Sequence, residues 1–167
     1  MTTNENLAYF AGLFDGEGSV SVSRNKTKFN SIGYHSKLSI GNTDKCIIDW
    51  VIENYGGYMF TVHRNGRNDD RWKDIYVWWK NMNKDDIPLV DSLIKYSIIK
   101  KERLILLRKF IETRGTTGKI VRVTPEIANI RDEIFYKMKI LNKRGTTKNN
   151  DIETDVVDSN RLSSTNA

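Results

Sequence analysis

The sequence has little cysteine, little proline and no long apolar run. Cys46 is the only cysteine among 167 residues, which excludes an intramolecular disulfide and a zinc cluster built from cysteines. We expect it to be a small buried residue on a helix. No apolar run approaches membrane-spanning length, and residues 1–6 are polar with no secretory pattern. These absences predict an intracellular protein with no membrane partner. They leave the host open, with an organelle-encoded or a prokaryotic gene among the options.

Positive charge is in excess. The formal net charge is +6, and residues 149–167 hold four carboxylates against one arginine, so residues 1–148 carry about +9. This excess favours a polyanionic partner over a neutral small molecule, although many basic proteins bind no nucleic acid. The length fits one domain, which we assign to residues 1–148. The polar residues 149–167 are predicted to form a disordered tail.

The stretch LAYFAGLFDGEGS, residues 7–19, predicts a short apolar helix that ends in two carboxylates, Asp15 and Glu17. Every fourth position is small, and this stripe consists of Ala8, Gly12 and Gly16. A second helix backbone could approach such a stripe closely. A carboxylate at a helix C-terminus faces the negative end of the macrodipole, which becomes favourable once a divalent cation arrives. The stretch therefore predicts a metal site, the alternative being an ordinary core helix with a glycine C-cap.

Alternating patterns along the chain predict four strands. Residues 19–24 and 36–42 alternate apolar and polar side chains and should form a hairpin, and residues 58–64 and 75–80 have strand patterns too. The pattern does not decide which of Trp78 and Trp79 faces inward.

Capping residues and prolines mark the helices that follow. Asp44 begins a second helix, Asp86 and Pro88 begin a third, a further helix follows from Lys100, and Thr124 with Pro125 begins the last. Residues 119–123 should be extended. The order helix, strand, strand, helix, strand, strand, helices predicts an α+β fold with a four-stranded antiparallel sheet backed by helices.

One face of this sheet is predicted to be polar. Its candidate side chains are Ser21, Ser23, Asn25, Lys37, Ser39, Thr61 and His63. Short hydrogen-bonding groups mixed with cations can lie along a DNA major groove, where base edges carry the sequence information. A solvated sheet face is the alternative, because antiparallel sheets often leave one face to water.

Residues 10–18, FAGLFDGEG, resemble the motif that names the LAGLIDADG homing endonucleases. The identical positions are Ala11, Gly12, Leu13, Asp15 and Gly18. Gly16 replaces the family's alanine and Glu17 its second aspartate, and both are chemically mild changes. The resemblance extends in element order over residues 5–148, but only this motif is specific. It implies that the sheet is a DNA-binding saddle and that the protein is a sequence-specific DNA endonuclease of intron homing.

The metal site needs more ligands than one motif supplies, because Glu17 is a single carboxylate and no other tight acidic pair follows. Two copies packed along the small stripe would bring two Glu17 carboxylates to the dimer axis. The expected interface is Ala8, Ala11, Gly12, Asp15 and Gly16, and the expected ligands are Glu17 and Gly16. Mg²⁺ suits such a site because it keeps waters and accepts phosphate oxygens. Mn²⁺ or Ca²⁺ could occupy it, and Ca²⁺ is expected to bind without supporting cleavage.

The resemblance also implies how the protein acts. Single-motif members of the family are homodimers that cut both strands of long, nearly palindromic sites and leave 3′ overhangs. Carried over by position, Asn42 would orient water and Lys100 would stand near the scissile phosphates, beside Glu17 as the third catalytic residue. A turn with a helix cap at Asn42, and a solvated lysine at Lys100, are the alternatives. Asp15 is expected to be structural.

The predicted DNA-binding residues lie on the sheet, in its loops and after the last helix. They are Ser19, Ser21, Ser23, Arg24, Asn25, Lys26, Lys28, Lys37, Ser39, Thr61, His63, Arg64, Arg67, Lys143 and Arg144. The last two belong to residues 142–148, NKRGTTK, which resemble the family's basic loop or else form a fraying helix end. Double-stranded DNA is the expected partner, with RNA as a secondary one. The alternative functions are an RNA-binding intron maturase and a non-cleaving DNA-binding regulator.

Overall fold

Helices and strands follow one another in the predicted order. The computed structural model describes residues 3–26, 32–63, 73–119 and 121–143. Its elements are α1 (Asn4–Glu17), β1 (Gly18–Lys26), β2 (Ile32–Asn42), α2 (Lys45–Tyr55), β3 (Tyr58–Val62), β4 (Ile75–Asn81), a 3-10 turn (Lys84–Asp86), α3 (Ile87–Tyr96), α4 (Lys101–Glu112) and α5 (Pro125–Leu141). The predicted α+β class is confirmed. The described residues between 119 and 123 belong to no strand, whereas an extended segment was expected.

Side-chain caps set where three of the helices begin. The Thr3 hydroxyl accepts the Asn6 backbone N–H at 3.2 Å, so α1 starts three residues earlier than its apolar pattern predicts. The predicted caps at Asp44 and Thr124 are confirmed, since their side chains accept from the N–H groups of Cys46 and Ile127.

The four strands form one antiparallel sheet in the order β1-β2-β4-β3. The predicted hairpin of β1 and β2 is confirmed, with Val20 opposite Leu38. Trp78 of β4 lies between Ile40 of β2 on one side and Met59 of β3 on the other. This row faces the helices, because alternate residues of a strand point to opposite sides of the sheet.

The core between sheet and helices is centred on Trp78, which is 0% exposed, so that Trp79 points outward. The Trp78 indole donates to the Gly56 carbonyl at 2.7 Å. Its ring meets Phe10 of α1 edge-on, at 5.8 Å between centroids. Gly57, at φ 102°, lies against this indole, where a Cβ would come within 2.5 Å of Nε1. Aromatic packing thus connects α1 to the middle of the sheet.

Two predicted DNA-binding residues, one of them from the predicted polar sheet face, point to the helical side instead. Thr61 pairs with Tyr76 and shares the side of Met59, because the alternation of β3 turns it inward. Arg24 also lies on the inner side of β1, where it forms an ion pair with Asp132 of α5 at 3.2 Å. These two assignments to the DNA face are therefore corrected.

Further sequence predictions fall at exposed positions or outside the described residues. Cys46 is exposed rather than buried, because it occupies the solvent side of the first turn of α2. Lys28, Arg64, Arg67 and Arg144 lie outside the described residues, as does the predicted tail, so the division into residues 1–148 and 149–167 stays a prediction. Among the described helices, none combines the length and apolarity needed to cross a membrane.

Candidate active site

The end of α1 presents Glu17 to solvent. Glu17 is the last residue of the helix and is exposed, and Gly18 leads directly into β1. A Cβ at Gly18 would come within 2.4 Å of the Phe14 side chain and carbonyl, so only glycine fits this junction. The Gly18 N–H donates to that same carbonyl and closes the helix. The tight junction leaves the Glu17 carboxylate at an open helix end.

Asp15 is bound inside the protomer by the segment that precedes α4. One carboxylate oxygen accepts the Ser97 hydroxyl and the Lys100 N–H at 3.1 Å. The other accepts the N–H groups of Ile98 at 2.6 Å and Ile99 at 3.2 Å. Partial burial raises the pKa of Asp15, but these four hydrogen bonds outweigh it and hold the pKa below its usual value. The carboxylate expected at the dimer interface is thus engaged within one chain.

Glu17 lies on an open cleft of about 450 Å³ formed where three helices and one strand meet. The lining residues are Gly16, Glu17, Gly18, Ser19, Val20, Ile99, Lys100, Arg103, Leu141, Asn142 and Lys143. Three predicted site residues besides Glu17 and Gly16 are brought together here, namely Ser19, Lys100 and Lys143. Since one carboxylate faces three cations, the cleft is suited to an anionic ligand.

Lys100 is bonded to Asp15 by its backbone N–H and by its side-chain amine. Its amine donates to the backbone carbonyl of Asp15, and its side chain is half-buried in the cleft. Burial lowers the pKa of the Lys100 amine, the nearby carboxylates of Asp15 and Glu17 oppose this shift, and the charge of Arg103 adds to it. A lysine held in this way can place a positive charge, or a proton, at one point beside Glu17.

Arg103 is a cleft residue that the sequence analysis missed. Its Nε donates to the Asn142 side chain at 3.0 Å, and its guanidinium also donates to the Leu141 carbonyl. Asn142 in turn donates to the Val20 carbonyl at 2.9 Å. This chain of hydrogen bonds connects α4, the end of α5 and β1. The only sequence signal was the spacing of Arg103 three residues after Lys100, the N-cap residue of α4, which places the two about one helical turn apart.

Asn42 does not line the cleft. Its side-chain oxygen accepts the backbone N–H of Asp44 at 2.8 Å, at the turn that leads into α2. The turn and cap given as the alternative are thus present in the protomer, and the catalytic assignment of Asn42 stays a prediction.

The stripe of small residues on α1 is open to a second molecule. Ala8, Gly12 and Gly16 are exposed, and a Cβ built on either glycine meets nothing within 4 Å. Ala11, by contrast, is 0% exposed. Ala11 therefore belongs to the core of the protomer and not to the expected interface, because it lies one position off the exposed stripe.

The predicted DNA-binding residues divide between the two sides of the sheet. Besides the inward Thr61 and Arg24, His63 is exposed after β3 and lies 2.9 Å from a carboxylate oxygen of Asp74. Lys26 is exposed at the end of β1. The outward-facing residues are Ser19, Ser21, Ser23, Asn25, Lys37 and Ser39.

Within one protomer the donor set for a metal is incomplete. Among the described residues, no group of three or more His, Cys, Asp or Glu side chains could hold an ion. Glu17 and the terminal carbonyls of α1 are hard oxygen donors, which suit Mg²⁺ or Ca²⁺. They fit such an ion only if further oxygens come from a second protomer, water or a phosphate.

A family model described as the LAGLIDADG-like domain matches residues 4–51, which span α1, β1, β2 and most of α2. Residues 4–51 of this chain are similar to that domain. The resemblance seen in residues 10–18 is thereby confirmed, and the motif occupies the second half of α1 together with the first residue of β1. The sequence matches no curated protein.

Solved structures of LAGLIDADG homing endonucleases share the fold. The archaeal intron-encoded homing endonuclease I-Vdi141I, complexed with DNA, is similar over 87% of this chain and 89% of its own, with a TM-score of 0.64 and 17% identity. I-CvuI, in complex with the I-CreI target in the presence of 2 mM Mg with the DNA not cleaved, has a TM-score of 0.64 and 15% identity. The alignment covers 86% of this chain and 85% of I-CvuI.

The LAGLIDADG homing endonuclease I-GzeII, in complex with its DNA target, aligns differently. The alignment covers 80% of this chain but only 43% of I-GzeII, with a TM-score of 0.56 and 19% identity. At these identities the likeness establishes the LAGLIDADG endonuclease fold of the present chain.

Proposed function

We propose that this protein is a homodimeric, metal-dependent endonuclease that cuts both strands of a specific double-stranded DNA site. The observation that carries the proposal is the position of Glu17. This carboxylate stands free at the end of α1, in a cation-lined cleft, directly beside the open stripe of Gly12 and Gly16. A second α1 on that stripe would place two such carboxylates together, facing a phosphate backbone that the cations attract.

The unfilled surface beside the small residues of α1 supports the homodimer. Small residues allow two helix backbones to pack closely, and the two glycines have no neighbour in the protomer that fills this space. The match to less than half of I-GzeII is consistent with a chain that supplies one motif-bearing unit of a larger assembly. The symmetry of such a dimer predicts a pseudo-palindromic target.

Each cleft residue has a defined part in the proposed reaction. Glu17 and the Gly16 carbonyl would hold Mg²⁺, which supplies charge stabilisation on the phosphate and an acidified water when bound. Solved relatives with Mg and with Ca are in keeping with a divalent ion. Lys100 is positioned to stabilise the charge that develops at the scissile phosphate, and Arg103 and Lys143 to bind the flanking backbone.

The test is cleavage of a randomised double-stranded DNA library in Mg²⁺, with the ends sequenced. We expect the wild-type protein to select a pseudo-palindromic site and to leave 3′ overhangs. The Glu17→Gln variant should bind the selected site without cutting it, because the amide keeps the shape of the side chain and loses its charge. Glu5→Gln, on the exposed first turn of the same helix, is the matched control and should cut normally.

Two other outcomes would overturn the proposal. Selective binding without cutting by the wild-type protein in Mg²⁺ or Mn²⁺ would indicate a DNA-binding regulator. Absence of DNA binding at low salt would remove the DNA partner altogether, since the phosphate contribution is largest there.

A further inference from the structure

The outward face of the sheet consists of rows that run across the strands. One row crosses all four strands and contains Ser19, Ser39, Trp79 and Tyr58. On one side of it the rows are polar, namely Ser21 with Lys37 and Asn81, then Ser23 with His35. On the other side they are apolar, namely Gly41 with Val77 and Phe60, then Ile75 with Val62.

The apolar half is well exposed. Tyr58 is 66% exposed, Phe60 48% and Val62 40%. The Tyr58 ring packs on Trp79 with 5.1 Å between centroids, so the two form one aromatic surface. Exposed apolar groups that lie next to one another in a folded protein usually mark a binding surface.

Charge indicates the kind of partner that covers this face. None of the outward residues on the described strands is acidic, although the chain contains 21 aspartates and glutamates. Lys37 carries a positive charge there, and no outward carboxylate opposes it. A polyanion that lies along the serine rows also covers the adjoining apolar rows, because both belong to one continuous sheet.

Methyl and phenyl groups cannot exchange hydrogen bonds with base edges. In the major groove their complement is the C5 methyl of thymine, which is the apolar group that a base pair presents there. We propose that the β3–β4 half of the face, centred on Phe60, Val62 and Val77, recognises thymine methyl groups in the DNA target, while the serine half reads polar base edges. This inference rests on the proposed function and specifies the chemistry of its substrate.

The test uses the duplex selected by cleavage of the randomised library. Each thymine is replaced singly by deoxyuridine, which removes the methyl and leaves base pairing unchanged. Binding is measured by fluorescence anisotropy with Glu17→Gln protein, so that the DNA stays intact. We expect certain replacements to weaken binding by about fourfold per methyl. The added variant Phe60→Ser should bind thymine and uracil duplexes equally at the positions it contacts.

Ser21→Ala is the matched control, because it alters the polar half of the same face. It should weaken binding equally to thymine and uracil duplexes. Val62→Thr keeps the shape of its side chain and provides a second, milder variant, and thermal unfolding checks that each variant folds. Tight binding that no uracil replacement changes would overturn the inference while leaving the proposed endonuclease intact. Failure to select any duplex would remove the proposed function and this inference together.

A protein partner on this face predicts a different result. In that case Phe60→Ser would reduce the size of the particle in sedimentation and leave the thymine preference unchanged, which would also overturn the inference.

Discussion

Loss of charge at Asp15 should destabilise the fold, whereas loss of charge at Glu17 should not. The variant Asp15→Asn tests this most directly. In the native protein each carboxylate oxygen of Asp15 accepts two hydrogen bonds, from Ser97 and Lys100 on one side and from Ile98 and Ile99 on the other. An asparagine keeps one oxygen and places an NH₂ group against the donors of the other. Two charge-assisted hydrogen bonds are then lost.

Each of these two bonds contributes about 1.5 kcal/mol, at the low end of the range because water reaches this half-buried group. The expected loss in the free energy of unfolding is therefore about 3 kcal/mol. For a protein of this size it lowers the melting temperature by about 10 °C. Differential scanning calorimetry and urea denaturation measure both quantities.

Glu17→Gln is the control, since it removes a charge two residues away with no described hydrogen bond to lose. It should change the melting temperature little, or raise it slightly because a negative charge at a helix C-terminus is unfavourable. The reasoning would be refuted if Glu17→Gln destabilised the protein as much as Asp15→Asn.

The pH dependence of Asp15→Asn has a definite sign. The hydrogen bonds hold the pKa of Asp15 below its usual value in the folded protein. A group of this kind stabilises the fold above the unfolded pKa, near about 4, and the contribution is lost as pH falls through the folded pKa. The difference in unfolding free energy between wild type and variant should therefore be constant near neutral pH and shrink in acid. A difference that grew below pH 4 would contradict the assignment.

The remaining predictions concern the cleft and the stripe. Lys100→Met should lower the single-turnover cleavage rate by about 10²–10⁴-fold with DNA affinity largely kept, whereas Lys101→Met, exposed on the next position, should change it little. Arg103→Met should cost roughly 1.5–3 kcal/mol in urea denaturation through its lost bonds to the end of α5, and Arg103→Lys should not restore them. Gly12→Leu should abolish the dimer in sedimentation equilibrium without destabilising the protomer, because leucine has the higher helix propensity; a dimer that survived would place the interface elsewhere.

Local periodicity and spacing were enough to predict much of this protein. The apolar pattern of α1, its glycines and the acids at its end follow from sequence positions a few residues apart, as do the caps at Asp44 and Thr124. The strands alternate regularly, so the antiparallel sheet was also predictable. The motif in residues 10–18 carried the family resemblance because its small, apolar and acidic residues stand in one contiguous order.

Long-range contacts decided the rest. Asp15 and Ser97 are 82 positions apart, and only the folded chain shows that they are bonded to each other while Glu17 stays free. The same holds for Arg103, whose partners lie at the far end of α5. The apolar half of the outer face was hidden as well, because the pattern of a single strand does not say which side of the sheet the helices cover. Only the register of β4 between β2 and β3 turned Trp78 into the core and left Trp79 and Phe60 on the outward face of the sheet.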